Sequence, residues 1–104
     1  MGRSSARLYI VLEKMLDAGL KMAQAVHAFK AFQVEHPEVE AQWFLDSNNI
    51  VVLHEDDVPS LADKLEELGF RVSRFFEPDR DGQLTGICAE PAAWKQLSNI
   101  PLAR

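Results

Sequence analysis

A single cysteine, Cys88, leaves no partner for an internal disulfide and fits a reducing compartment. It lies in a strand-like run, LTGICAE, where one thiol reads as a small buried hydrophobe rather than a nucleophile. No apolar run approaches the roughly 20 residues that cross a bilayer. Met1 to Ala6 is short and polar and is not a signal segment. The expectation is a soluble, cytoplasmic chain with no membrane partner. Positive charge is also scarce: 11 Lys and Arg stand against 16 Asp and Glu, a net of −5. That excludes a surface coated with cations for nucleic acid and leaves room for a local basic patch. Residues 1–54 carry a net of −1 and residues 55–104 a net of −4, so such a patch belongs to the first half.

Familiar chemical signatures are missing as well. There is no GxGxxG, no phosphate-cradling GxxxxGK[ST] and no nucleophile elbow GxSxG. No HExxH or paired cysteine motif suggests zinc, and no metal or cofactor is expected. The three histidines, His27, His36 and His54, are scattered.

What remains is an ordinary globular composition, 47% hydrophobic with 26% charged, in 104 residues. This is the size of one domain, with residues 1–6 a polar leader and residues 7–104 the body. RLYIVLE, from Arg7 to Glu13, is a near-continuous apolar run that suits a buried strand. Asp17 is a candidate cap for a helix that ends near Pro37. Glu38 to Leu45 is a second short helix or an irregular connection, with Trp43 and Phe44 as anchors on the core. Ser47 to Asn49 is a turn, and Ile50 to Leu53 a second strand. Pro59 opens another helix, capped by Asp57 or Ser60 and closed by Gly69, with Leu61, Leu65 and Leu68 as its core stripe. Arg71 to Phe76 and Leu84 to Ala89 are strands joined by the tight polar turn EPDRDG. Gly86 inside the last strand marks a bulge or a close backbone approach. Pro91 opens a short helix whose Trp94 and Leu97 dock on the sheet.

Helical crossovers join the first three strands and a tight turn joins the last two. The fold class is therefore α/β, with helices on both faces of a four-stranded mixed sheet whose last strand is antiparallel. Sites in such sheets lie outside the carboxyl ends of the parallel strands. That edge brings Lys14 to Gly19, His54 to Asp57 and Glu77 to Asp79 together.

The first helix carries the most pointed chemistry. Lys21, Gln24, His27 and Lys30 recur every third residue, a drifting polar stripe. Met22, Ala25, Val26, Phe29 and Phe32 form its apolar side. An amide, an imidazole and two cations suit an anionic or ester substrate.

Gly19 followed by AQAVHA (Ala23 to Ala28), with the last strand TGICAEP (Thr85 to Pro91), resembles the type II peptidyl-tRNA hydrolases. That family's helix reads G-K-x-A-A-Q-x-x-H-A and its last strand T-V-L-G-I-G-P. Gly19, Ala23, Gln24, His27 and Ala28 match the first pattern in register, and Thr85 and Pro91 match the ends of the second. The family lysine aligns with Leu20, which leaves Lys21 and Lys14 as the replacements. The family aspartate falls on Glu77 or Asp79.

The resemblance implies a three-layer α/β/α fold and hydrolysis of the ester between a peptide and the 3′ ribose of tRNA. His27 would be the general base or proton shuttle, oriented by Glu77 or Asp79. The Thr85 hydroxyl, the Gln24 amide or a lysine would donate to the oxyanion. Lys14, Lys21 and Lys30, with Arg3 or Arg7, would hold the phosphates of peptidyl-tRNA or another RNA with a 3′ ester. Members of the family are often dimers, and the apolar residues Trp43, Phe44 and Trp94 offer a face for a second copy. The alternative is an inactive module of the same fold that binds RNA or protein.

Overall fold

The computed structural model describes residues 6–103; the polar leader up to Ser5, with Arg3, lies outside them. Strand β1 (Arg7–Glu13) leads into helix α1 (Ala18–Glu35), then α2 (Pro37–Asp46), β2 (Asn49–Glu55), α3 (Val58–Glu67), β3 (Val72–Glu77), β4 (Gln83–Ala89) and the short α4 (Trp94–Leu97). Asp17 caps α1 through its carboxylate, which accepts the Leu20 N–H at 3.0 Å. The helix stops at Glu35, ahead of Pro37. Asp57 caps α3 by accepting the Ser60 N–H at 3.1 Å, and Gly69 follows with φ of 90°, the left-handed turn that suits glycine.

The sheet order is β2-β1-β4-β3, with β1 parallel to β2 and β4 antiparallel to both β1 and β3. Three strands thus share one direction, and the antiparallel β4 lies between two of them. Leu8, Ile10 and Leu12 pack under α1 and α2 with Ala28, Phe32 and Trp43. Tyr9 and Val11 face the other way, against Val58, Ala62 and Leu65 of α3 and Leu97 of α4. Helices cover both faces of the mixed sheet, an arrangement compatible with three α/β/α layers. Residues 101–103 pair along the outer edge of β2: the His54 N–H donates to Pro101 O and the Ala103 N–H to Val52 O, each at 2.9 Å. Among the described residues, no helix is long and apolar enough to cross a membrane.

The buried line of α1 differs from the expected one. It runs through Gln24, Ala28 and Phe32, while Met22 is 71% exposed and Val26 66%. Hydrophobicity alone would have turned Met22 and Val26 inward. The helix instead turns its i, i+4, i+8 line onto β4 and β3, where Gln24 meets polar partners. On α3 the buried line is Val58, Ala62 and Leu65, and Leu68 sits beyond the helix end, half exposed. Trp43 is buried as expected, with its indole N–H donating to Asn49 O. Phe44 and Trp94 are instead exposed. Cys88 is wholly buried, and burial pushes its thiol far up.

Candidate functional site

Glutamine is rarely tolerated without exposure unless both ends of its amide are satisfied. Gln24, on the second turn of α1, is 0% exposed. Its amide N–H donates to Oε2 of Glu77 at the end of β3. Its carbonyl accepts the Thr85 hydroxyl of β4 at 3.1 Å. The other Glu77 oxygen accepts the Asp79 N–H at 3.1 Å, and the Glu77 carbonyl accepts the Gly82 N–H at 3.0 Å. A single carboxylate is thereby held from a helix, from its own turn and, through Gln24, from the adjacent strand.

Thr85 reaches this network through a bulge. Strand pairing passes from Phe75↔Gly86 to Phe76↔Leu84, so Thr85 is one residue more than β3 provides for. Cys88 and Gly86 face α1, and strict alternation would send Thr85 to the α3 side with Ile87. The bulge turns it back beneath Gln24. Gly86 lets the helix come close: a Cβ there would lie 3.1 Å from Leu12 Cδ2 and 3.8 Å from the Gln24 carbonyl oxygen. The reversal between β3 and β4 uses two left-handed residues, Asp81 and Gly82, with φ of 55° and 76°.

The carboxyl of Glu77 is held below the ordinary carboxylate value. The Gln24 amide contributes most, then the Asp79 N–H; burial opposes them, and nearby His27 adds a smaller pull in the same direction. His27, one turn on from Gln24, is exposed and lies flat against Phe75, with centroids 4.6 Å apart.

The residues singled out in the sequence fall into separate groups. Gln24, Thr85, Glu77 and His27 converge. Asp79 joins them through its backbone, and its side chain is not the one that Gln24 holds. Thr85 and Gln24, the two groups offered as oxyanion donors, are both fully buried: the Gln24 amide donates to Glu77 and the Thr85 hydroxyl to Gln24. Lys21 lies on the other flank of α1, in a groove of about 270 Å³ with Leu12, Met22 and Val52, and acts electrostatically on His54. Lys14 lines a pocket with His54. Lys30 points to Gln33 at 3.3 Å on the exposed face. Arg7 is exposed at the start of β1, the opposite end of the sheet. Phe75 went unmarked in the sequence. Its signal is an aromatic two residues before Glu77, on the same strand face. Among the described residues no cluster of three His, Cys, Asp or Glu side chains is arranged to hold a metal.

No protein-family model matches this chain, and no curated protein matches it either.

Proposed function

We propose that this chain hydrolyses the ester between a peptide and the 3′ ribose of tRNA, with His27 as general base. The observation that carries the reading is the Glu77 carboxylate, held by the buried Gln24 amide that Thr85 braces, with His27 close enough to act on it electrostatically. Packing alone would have put an apolar residue at position 24. The resemblance of these residues to the type II peptidyl-tRNA hydrolases supplies the substrate class.

In this mechanism the neutral His27 imidazole takes a proton from water as the water oxygen attacks the ester carbonyl carbon. The carbonyl electron pair moves onto oxygen, then returns as the bond to the ribose 3′ oxygen breaks. That oxygen takes the proton from the imidazolium. The products are a peptide carboxylic acid, which gives up its proton to solvent, and a free 3′ hydroxyl. Glu77 stabilises the imidazolium that forms between the two proton transfers. Gln24 and Thr85 are positioning residues for Glu77.

One observation favours a second reading, a module that binds RNA without turnover. Lys14 and Lys21 lie toward His54, not beside His27. Release of peptide from purified peptidyl-tRNA separates the two, comparing wild type with His27→Ala and Glu77→Gln. Hydrolysis requires turnover in wild type, its loss in His27→Ala and a reduced rate in Glu77→Gln. A folded wild type without turnover that retains tRNA in a salt-sensitive manner overturns hydrolysis in favour of binding.

A further inference from the structure

Tyr9 is 7% exposed and belongs to the core cluster of Val58, Ala62 and Leu97 on the α3 side of the sheet. Its hydroxyl has no hydrogen-bond partner among the described residues and keeps an open side. Tyr9 lines a pocket of about 450 Å³ at the start of β1, with Arg7, Trp94 and a wall of Ala6, Pro91 and Ala92. That volume falls within the ~300–1,000 Å³ of small-ligand sites. A buried side chain thus presents an unpaired polar atom to a cavity large enough to hold a partner for it. Arg7 stands two residues before Tyr9, so both side chains rise from one face of the strand. The end of the chain packs on that face through Ala93 and Leu97, which brings Trp94 to the rim. Trp94 is 53% exposed, and Lys95 Nζ stands 5.5 Å from its indole centroid.

We propose that Arg7, Tyr9 and Trp94 form a seat for a nucleotide, with its base against the Trp94 indole and its phosphate at Arg7. The seat does not rest on the hydrolase reading. It lies at the other end of the sheet: Tyr9 pairs with Ala89 and Ala89 with Val72, the first residue of β3, whereas Glu77 is the last.

The donor set selects the ligand. A guanidinium only donates hydrogen bonds, a phenol hydroxyl has one to donate, and no carboxylate lines the pocket. Arg7 has no ion pair among the described residues. A neutral sugar would also lie on an indole, but its many hydroxyls need acceptors, which this lining is poor in. A nucleotide brings its own acceptors. Its phosphate oxygens suit Arg7, a ring nitrogen or carbonyl of the base suits the Tyr9 hydroxyl, and its flat face suits Trp94. Glu38, Asp46 and Glu90 line a separate pocket that shares only Ala6, Pro91 and Ala92 with this one. Of these, Glu90 is already engaged: it accepts the Arg71 N–H at 2.6 Å and lies 3.8 Å from the Arg71 guanidinium.

The test is NMR observation of the two tryptophan indole N–H signals in the full chain, titrated at constant ionic strength. The probes are adenosine 5′-monophosphate and the single-stranded RNA tetra-adenylate. Trp43 is buried with its indole N–H on Asn49 O and serves as the internal control. The Trp94 signal is expected to move saturably while that of Trp43 stays. Trp94→Ala, followed through the Arg7 and Ala92 backbone amides, should weaken binding about tenfold, the loss of one stacked base. Tyr9→Phe keeps the buried ring and should weaken it about threefold, the loss of one hydrogen bond. Arg7→Gln should weaken it about threefold to fivefold, as for one partly screened ion pair. The seat is overturned if neither probe moves Trp94 beyond a sodium chloride control, or if Trp94→Ala and Tyr9→Phe bind as wild type does. A Trp94 signal that follows protein concentration and ignores both probes overturns it in favour of a second copy. Tetra-adenylate binding about tenfold or more tighter than the mononucleotide assigns the seat to an RNA strand, since only a strand adds contacts beyond one nucleotide. A smaller ratio assigns it to a free nucleotide. Binding is read without turnover, so absence of peptide release leaves the seat standing, and absence of nucleotide binding leaves hydrolysis standing.

Discussion

The imidazole of His27 lies on the ring of Phe75 with planes 13° apart, and Phe75 stands two residues before Glu77 on β3. One strand therefore sets both the surface beneath the histidine and the carboxylate beside it. Phe75→Leu removes the flat support and keeps the apolar contact. Under the proposed hydrolysis it should lower kcat for peptide release about tenfold with little change in KM, the order of loss expected from loosened orientation of the proposed base. Phe75→Tyr should restore the rate. Equal rates in all three proteins would show that the stacking does not orient His27.

The amide of Gln24 is the hub of the buried network. Gln24→Leu fills nearly the same space but leaves the Thr85 hydroxyl and one Glu77 oxygen without that partner. Urea unfolding at neutral pH should show a loss of about 1–3 kcal/mol, the cost of unpaired buried polar groups. A variant as stable as wild type would mean that the network adds nothing to the fold.

Acid should act through Glu77. Its folded carboxyl is held below the ordinary value, so the unfolded chain takes up the proton first. The stability it contributes is present above the ordinary carboxylate range and is lost as pH falls through the lower, folded value. Unfolding free energies measured across this acid range should fall more steeply in wild type than in Glu77→Gln. Parallel curves would place the acid sensitivity elsewhere.

Gly86 should resist even a methyl group. The added Cβ would come within 3.1 Å of a Leu12 methyl that is itself packed under α1. Gly86→Ala should cost about 1–3 kcal/mol in thermal or urea unfolding, the usual penalty for overfilling a packed core. A neutral result would mean that Leu12 and α1 can give way together.

Local chemistry made much of this fold legible. Asp17, Pro37, Asp57 and Gly69 marked helix ends through short-range rules, and the crossovers indicated strand direction. The placement of β4 inside the sheet was not legible, because direction alone does not order strands. The burial of Gln24 was not legible for a similar reason. Its stripe with Lys21, His27 and Lys30 looks solvated, and its partners lie 53 and 61 residues away. Thr85 faces Gln24 only because a bulge breaks the alternation that reading a strand relies on. Lys21 follows Leu20 by a turn of about 100° on the helix, enough to send it to the flank of His54.

The central position of β4 also dictates when the site can exist. During synthesis β1 and β2 can pair early, yet the other edge of β1 has no neighbour until residues 83–89 emerge. Closing that gap is a contact of high sequence separation and belongs to the slow part of folding. The same event brings Thr85 to Gln24 and completes the hold on Glu77. A ribosome-bound chain halted before β4 would therefore expose a bare strand edge prone to cross-chain pairing and would lack the assembled network altogether. Closure of the sheet and assembly of the buried network are one event.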